Sequence, residues 1–261
     1  MGSSEVQGEL WGRAPVDWAE LMEPVHTPLW EAMLDATQVG EGTNFLDVGC
    51  GGGGASILAA DRGAQISGID ASEPLLDVAR QRVPAGDFRV GDLEALPFDS
   101  GTFGAVIAAS SIQYAEDPVA ALRELKRVCR PNGRVAVSLF GPPEKVAFGA
   151  IFAAIRDALP EPPSGGGPFA LSAVGVLEGL VEQAGMPLSE VSEVDVPMRF
   201  TDVDTFLKAA ASGGPTQRAI EAIGEEAFNT AVLGAIEPFQ TDDGGLLINN
   251  VYRYVMTAQG T

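Results

Sequence analysis

The sequence predicts an α/β fold: a doubly wound, mostly parallel sheet with helices on both faces and a helical cap. Three observations predict it. An apolar run, residues 44–48, leads through a glycine turn into a helical pattern, ASILAADRG. Strand and helix patterns then alternate as far as residue 140. Such alternation indicates parallel strands joined by right-handed crossovers. The second strand pattern ends on an acid, Asp70, and ligands of open α/β sheets sit at the carboxyl ends of strands.

Residues 1–14 are polar and read as a mobile lead-in, anchored only near Trp11. Residues 15–39 read as helices broken by Pro24 and Pro28, with Trp18, Leu21, Met22, Val25, Leu29, Trp30, Met33 and Leu34 at helical spacing. GEGT (40–43) is a turn, and NFLDVG is the first strand. The glycines 49 and 51–54, interrupted only by Cys50, let the chain turn tightly and bring backbone close to a ligand. The N–H groups that open the next helix make this turn a polar ligand site. QISGID (65–70) is the second strand, and 72–83 a helix with a Ser72 N-cap and Pro74 in its first turn. FRVGD (88–92) is a third strand, 93–102 a loop, and FGAVIAAS (103–110) an apolar strand covered on both faces. After a loop at 111–117, DPVAALRELKRVCR is a helix that Pro131-Asn132-Gly133 stops, and 133–140 is the fifth strand.

Beyond residue 140 the pattern changes. One helix is expected over 145–159, a Pro/Gly-rich mobile loop at EPPSGGGP, and a helix over 172–186 with Gly185 as its stop. SEVSEVDVPMRF (189–200) alternates like a strand, 202–237 reads as two or three short helices, and 246–259 as a last strand. The organisation read from this is a helical lid (1–39), an α/β core (40–140) and a C-terminal half (141–261) with cap insertions at 141–170 and 201–241, all within one structural domain.

Composition narrows the function. Of 261 residues, 36 are acidic and 16 basic, a formal net charge of −20. Such a surface repels phosphate backbones and anionic lipid, which argues against nucleic-acid and membrane-surface partners. No apolar run approaches the roughly 20 residues of a membrane helix, and the N-terminus has no basic-then-apolar leader pattern. Two cysteines and one histidine leave no disulfide framework and no metal site. A reduced, cytoplasmic protein is the expectation.

The glycine turn taken alone fits two cofactor classes. Gly49-x-Gly51-x-x-Gly54 satisfies the dinucleotide fingerprint, and Asp70 can accept both hydroxyls of a ribose in either class. The segment that separates them is Gly91-Asp92-Leu93-Glu94-Ala95-Leu96-Pro97-Phe98. It has no counterpart in the dinucleotide pattern. No Tyr-x-x-x-Lys pair or other hydride-transfer set accompanies the turn. Cys50 reads as packing rather than as a nucleophile.

Together with Asp47-x-Gly49-x-Gly51-x-Gly53, this segment, 99–106 and 127–137 make four motifs in order that resemble the class I S-adenosylmethionine-dependent methyltransferases of the ubiquinone/menaquinone-biosynthesis type. The resemblance covers about residues 44–140. It departs at Gly104, where the family pattern usually has Asp. It implies strand order 3-2-1-4-5-7-6 with the last strand antiparallel, and S-adenosyl-L-methionine as cofactor, leaving as S-adenosyl-L-homocysteine. By resemblance, Gly49, Gly51 and Gly53 lie against the methionine part. Asp70 holds the ribose with Ala71 beside the adenine, Asp92 and Leu93 hold the adenine, and Ala109 offers backbone near the amino acid group.

The implied reaction is methyl transfer to an O, N or C atom of a small molecule. The alternatives are a family member that binds the cofactor but performs other chemistry, and an NAD-dependent oxidoreductase. The acceptor would be gripped by segments 8–34, 141–170 and 201–241, whose Trp11, Trp18, Trp30, Phe148, Phe152, Phe169, Phe206, Phe228 and Phe239 suggest an apolar or aromatic molecule. His26 is the only side chain with a natural general-base pKa. Tyr114 and Gln113 follow the fourth strand, where the family pattern often has His, and are candidates for the transfer site. Arg13 is a candidate partner for a cofactor carboxylate, or else a solvated arginine.

Overall fold

The computed structural model describes residues 3–161 and 167–258. Its centre is a seven-stranded sheet in the order β3-β2-β1-β4-β5-β7-β6. The strands are β1 (Asn44–Val48), β2 (Gln65–Asp70), β3 (Asp87–Val90), β4 (Phe103–Ala109), β5 (Cys129–Phe140), β6 (Leu188–Phe200) and β7 (Leu246–Ala258). The first five pair in parallel, and β7 runs antiparallel to both β5 and β6. This is the order and sense expected above. The order reverses between β1 and β4, so their carboxyl ends open a crevice at the topological switch point.

The helices are α1 (Ser3–Trp11), α2 (Pro15–Asp17), α3 (Thr27–Ala36), α4 (Gly54–Asp61), α5 (Glu73–Arg82), α6 (Pro118–Val128), α7 (Phe148–Ala158), α8 (Val176–Gln183), α9 (Val203–Ala211), α10 (Gly214–Ile223) and α11 (Glu225–Ile236). Local chemistry explains the crossover helices. Ser72 Oγ accepts from the Leu75 N–H at 3.4 Å. Asp117 Oδ1 accepts from Val119 and Ala120 N–H at 2.9 and 3.0 Å, with Pro118 opening α6. Leu122, Leu125 and Val128 of α6 bury completely against one sheet face. The other face carries α3, α7 and the late helices, through Leu29, Met33, Ile151, Phe206 and Phe228.

Three expectations need correction. Residues 3–11 are a helix rather than a mobile lead-in. Gly8 of α1 lies so close to β2 that an added Cβ would stand 2.3 Å from the Ala71 carbonyl oxygen, so tertiary contact, which spacing does not reveal, fixes this helix. Strand β5 begins at Cys129, which pairs with Phe103 across an irregularity, so helix α6 ends before the Pro-Asn-Gly segment. Finally, a short 3₁₀ turn (Ile112–Tyr114) lies within the loop expected at 111–117. The EPPSGGGP loop falls largely outside the described residues.

Candidate active site

The glycine turn joins β1 to α4 at the crevice. Gly49 and Gly51 adopt φ of +75° and +55°, the left-handed region that side chains resist. The Gly49 and Cys50 N–H groups both donate to the Ile69 carbonyl, at 2.8 and 3.0 Å, which ties the turn to β2. A Cβ on Gly49 would stand 2.4 Å from Ser111 Cβ, and one on Gly51 would stand 2.8 Å from Glu23 Oε1 and 3.3 Å from Trp18 Nε1. Gly53 departs from expectation. It does not line the chamber; the Cβ it lacks would meet Ala79 of α5 at 3.1 Å, so its smallness serves helix packing.

Gly49, Gly51, Asp70, Ala71, Asp92, Leu93, Ala109, His26 and Tyr114 all line one chamber of about 1360 Å³, open mouth included. The strand ends bring together Gly49 and Ala109, 60 positions apart in the chain, because the sheet order places β3, β2, β1 and β4 side by side. Asp70 accepts from the Gly51 N–H through Oδ2 and from the Ser72 N–H through Oδ1, each at 2.9 Å. Burial raises its pKa, and these N–H groups hold the rise in check. Asp92 Oδ1 accepts from the Glu94 N–H at 2.8 Å, which fixes the turn after β3.

The N-terminal helices roof the chamber. Ser3 Oγ donates to the Tyr114 carbonyl at 2.8 Å, and Trp11 stands edge-on to Trp18 with centroids 4.6 Å apart. Below them Glu23, only 3% exposed, accepts from the Gly52 N–H at 2.6 Å and from Arg82 at 2.7 Å. Arg82 also donates to the carbonyls of Gly52 and Ala19. This latch fastens the roof to the glycine turn and to α5. Burial pushes the Glu23 carboxyl up to about 7 against the pull of Arg82.

His26 lies between Trp18 and Trp30, its ring centroid 6.2 and 5.8 Å from theirs. Its Nδ1 is 3.0 Å from the Met22 carbonyl and its Nε2 3.0 Å from the Tyr252 hydroxyl. A carbonyl can only accept, so Nδ1 carries the proton and Nε2 accepts from Tyr252. Burial pushes the imidazole down to about 4. The ring is neutral at pH 7 and both nitrogens are hydrogen-bonded. Burial raises the Tyr114 hydroxyl well above its ordinary range, so it keeps its proton. Arg13 is placed outside the chamber, pairing with Glu9 and Glu221 at 2.9 and 3.3 Å. Cys50 is buried, with its thiol pushed well above the ordinary range by burial, as a packing residue would be.

The far end of the chamber is apolar. Met22, Leu29, Trp30, Phe140, Phe148, Phe152 and Met198 form it. Of the aromatics named from sequence, Trp11, Trp18, Trp30, Phe148 and Phe152 reach the chamber, whereas Phe206 and Phe228 are fully buried core. Sequence reasoning missed the Glu23–Arg82 latch, the Tyr252 partner of His26, and Ser110. An acid in the apolar run WAELMEPVH was a usable signal for the first. Tyr252 has none, because a strand far along the chain supplies it, whereas Ser110 directly follows Ala109.

Residues 46–137 match the family model described as a methyltransferase domain. This segment is a methyltransferase domain. It holds the glycine turn and the strand ends that line the chamber, from Gly49 through Ala109, and a geranyl diphosphate methyltransferase of similar fold, at TM-score 0.53 and 18% identity with 88% of this chain and 84% of that one covered, has been solved in complex with S-adenosylmethionine. The chain is 34% identical over 127 residues to a demethylmenaquinone methyltransferase of Renibacterium salmoninarum, covering 48% of this chain and 54% of that one. The chain spans about half the length of the curated relatives it matches. The fold is similar to the crystal structure of a putative methyltransferase from Bacillus halodurans, at TM-score 0.60 and 17% identity, with 89% of this chain and 99% of that one covered. It is also similar to that of the 4+2 cyclase SpnF, at TM-score 0.56 and 23% identity, with coverages of 89% and 81%. Methyltransferase domains thus share their architecture with a protein of different named activity, and the chemistry has to be argued from the site.

Proposed function

We propose that this protein transfers a methyl group from S-adenosylmethionine to an O, N or C atom of a small apolar or aromatic molecule. The observation that carries the reading is a single chamber with two unlike ends: a glycine turn with two strand-end acids, and an aromatic wall facing it. The glycine turn fits the cofactor, since any Cβ at Gly49 or Gly51 would collide with the residues that close the chamber around it. Asp70 is oriented by two backbone N–H groups and keeps lone pairs for the ribose hydroxyls. Asp92 and Leu93 take the adenine in this reading, with Ala71 beside it, and Ala109 takes the amino acid group.

Among the described residues no Lys or Arg lines the chamber. The cofactor carboxylate then falls to neutral donors, of which the Trp18 indole N–H, beside Gly51, is placed for it. Bound S-adenosylmethionine supplies a methyl already activated by its sulfonium. The protein's part is alignment and exclusion of water, which the roof of α1 and the Trp11–Trp18 pair support. His26 and Tyr114 are acceptor-side residues: a neutral ring and a protonated hydroxyl that shape the pocket and orient polar groups. The acidic chain and its two buried free cysteines fit a reducing, cytoplasmic setting and a partner other than nucleic acid. No helix among the described residues is long and apolar enough to cross a membrane.

The test is calorimetric titration with S-adenosylhomocysteine and, separately, with NAD. Micromolar binding of the first and none of the second is expected. Asp70→Ala is expected to weaken S-adenosylhomocysteine more than tenfold, from loss of charged hydrogen bonds of about 1.5–3 kcal/mol. Unaltered affinity in that variant overturns the ribose assignment, and NAD binding overturns the cofactor class.

A further inference from the structure

A series of aromatic rings joins the roof of the chamber to its apolar end. Tyr114 lies edge-on to Trp11, centroids 5.7 Å apart, and Trp11 lies edge-on to Trp18 at 4.6 Å. His26 continues the series 6.2 Å from Trp18 and stacks on Trp30 at 5.8 Å. All five line the chamber. The three tryptophans and Tyr114 are only half-buried, so their rings keep surface that a ligand can touch. The series passes the glycine turn, where the Trp18 indole N–H adjoins Gly51, and ends at Trp30 among the apolar residues. Aromatic faces carry negative charge density, and several of them around one space attract a weakly hydrated cation.

The ionisable groups point the same way. Among the described residues, those that line the chamber are Asp70, Asp92, His26 and Tyr114, with no Lys or Arg. The two carboxyls belong to the cofactor in the reading above. Both His26 nitrogens are occupied, by the Met22 carbonyl and the Tyr252 hydroxyl, and burial keeps the Tyr114 phenol protonated. No side chain at the acceptor end is free to take a proton. An alcohol, a phenol or a carbon acid has to lose a proton to become a strong nucleophile. An acceptor that arrives already ionised as an anion would shed its hydration with no cation to pair it. A neutral amine needs neither a base nor a counter-charge, because its lone pair is the nucleophile.

Resting on the methyl-transfer reading above, we infer that the rings of Tyr114, Trp11, Trp18, His26 and Trp30 form a cation-holding wall, and that the acceptor is an apolar or aromatic amine that enters uncharged and leaves as its methylated ammonium. The amine lone pair forms the new nitrogen–methyl bond as the sulfur–methyl bond breaks, and the electron pair of that bond stays on sulfur. The cofactor product is a neutral thioether, and the positive charge passes to nitrogen. Where the acceptor carried an N–H, that proton goes to water after transfer. Positive charge is conserved through the step, and the ring wall provides for it without a further carboxylate.

The experiment titrates protein saturated with S-adenosylhomocysteine, followed by tryptophan fluorescence, with three probes of one shape: phenyltrimethylammonium, its uncharged isostere tert-butylbenzene, and the anion benzenesulfonate. The ammonium is expected to bind at least about fivefold tighter than the hydrocarbon, from cation–π attraction in a site shielded from water, and the sulfonate weakest of the three. In Trp30→Leu the preference for the ammonium should fall to within about twofold, whereas Trp30→Phe keeps most of it. A merely structural role for Trp30 would move both probes alike. Trp11→Leu reads the same ratio should Trp30→Leu fail to fold. Equal binding of ammonium and hydrocarbon by the wild type, tighter binding of the sulfonate, or binding of no probe overturns the proposal. So does a preference that survives in both leucine variants. An ammonium that binds cofactor-free protein and is expelled by S-adenosylhomocysteine overturns it differently, by giving the ring wall to the cofactor's sulfonium. Failure of the wild type to bind S-adenosylhomocysteine at all is seen in a separate titration and removes the parent reading itself.

Discussion

Gly49→Ala is expected to weaken S-adenosylhomocysteine by about a hundredfold, or about 2.7 kcal/mol, in a protein that still folds. Two penalties coincide at this position. The residue sits at φ +75°, where a side chain costs about 1–2 kcal/mol. The new methyl would also stand 2.4 Å from Ser111 Cβ, and Ser111 has nowhere to go, since its Oγ donates to the Val48 carbonyl at 2.7 Å. Either the turn or the end of β4 must move, and both are walls of the chamber. Gly42→Ala separates the two penalties. Gly42 has φ +70° with nothing within 4 Å of a new Cβ, so it should lose only the stability that the backbone strain costs and keep full affinity. Calorimetry with circular dichroism on both variants checks this. Wild-type affinity in Gly49→Ala would mean that the turn is not the cofactor's cradle.

The contrast between these two glycines shows what the sequence made legible. A glycine at 49 announces a turn; only the β4 end, 62 residues later, shows that the space is closed by Ser111. The strands β1, β2 and β4 and their crossover helices were legible because they follow local rules of period, capping and strand-end acids, and the sheet order followed from the family that the four motifs in order resemble. Gly49, Gly51, Asp70, Asp92 and Ala109 were named from the resemblance, and the structure sets each at or just beyond a strand end, lining one chamber. Helix α1 was not legible, since it is held by the approach of Gly8 to Ala71 and by Trp11 against Trp18, contacts that carry no periodicity. Arg13 looked like a charge for the cofactor, yet surface acids at positions 9 and 221 claim it. His26 looked like a base because it is the only histidine. Its environment is two tryptophans of its own segment, Trp18 and Trp30, and the Tyr252 hydroxyl, which comes from the far end of the chain.

Arg82→Met is expected to lower the melting temperature by roughly 6–15 °C at pH 8, with a clearly smaller loss at pH 5.5. At pH 8 the variant strands the Glu23 carboxylate, 3% exposed, with only the Gly52 N–H as partner. Removing one member of a buried pair in this way costs about 3–5 kcal/mol. At pH 5.5 the cost shrinks, because Glu23 can take up a proton. The direction follows from linkage. With Arg82 present the folded-state carboxyl is already raised to about 7, above its ordinary range near 4.5. Between those values the native state binds more protons than the unfolded chain, so stability falls as pH rises across that window. Losing the cation raises the folded value further and extends the fall upward in pH.

Asp47, raised to about 7 by burial, acts in the same direction, and His26, lowered to about 4, opposes it between pH 4 and 6.5. Both are common to the two proteins and cancel in the difference between them. Restoring neutrality by Glu23→Gln in the Arg82→Met background should recover most of the loss at pH 8, since the stranded charge is then gone. A melting-temperature gap that is the same at both pH values, or no recovery in the double variant, would show that Arg82 acts through its bonds to the Ala19 and Gly52 carbonyls and not through the charge on Glu23. The roof over the glycine turn would then be held by backbone contacts alone.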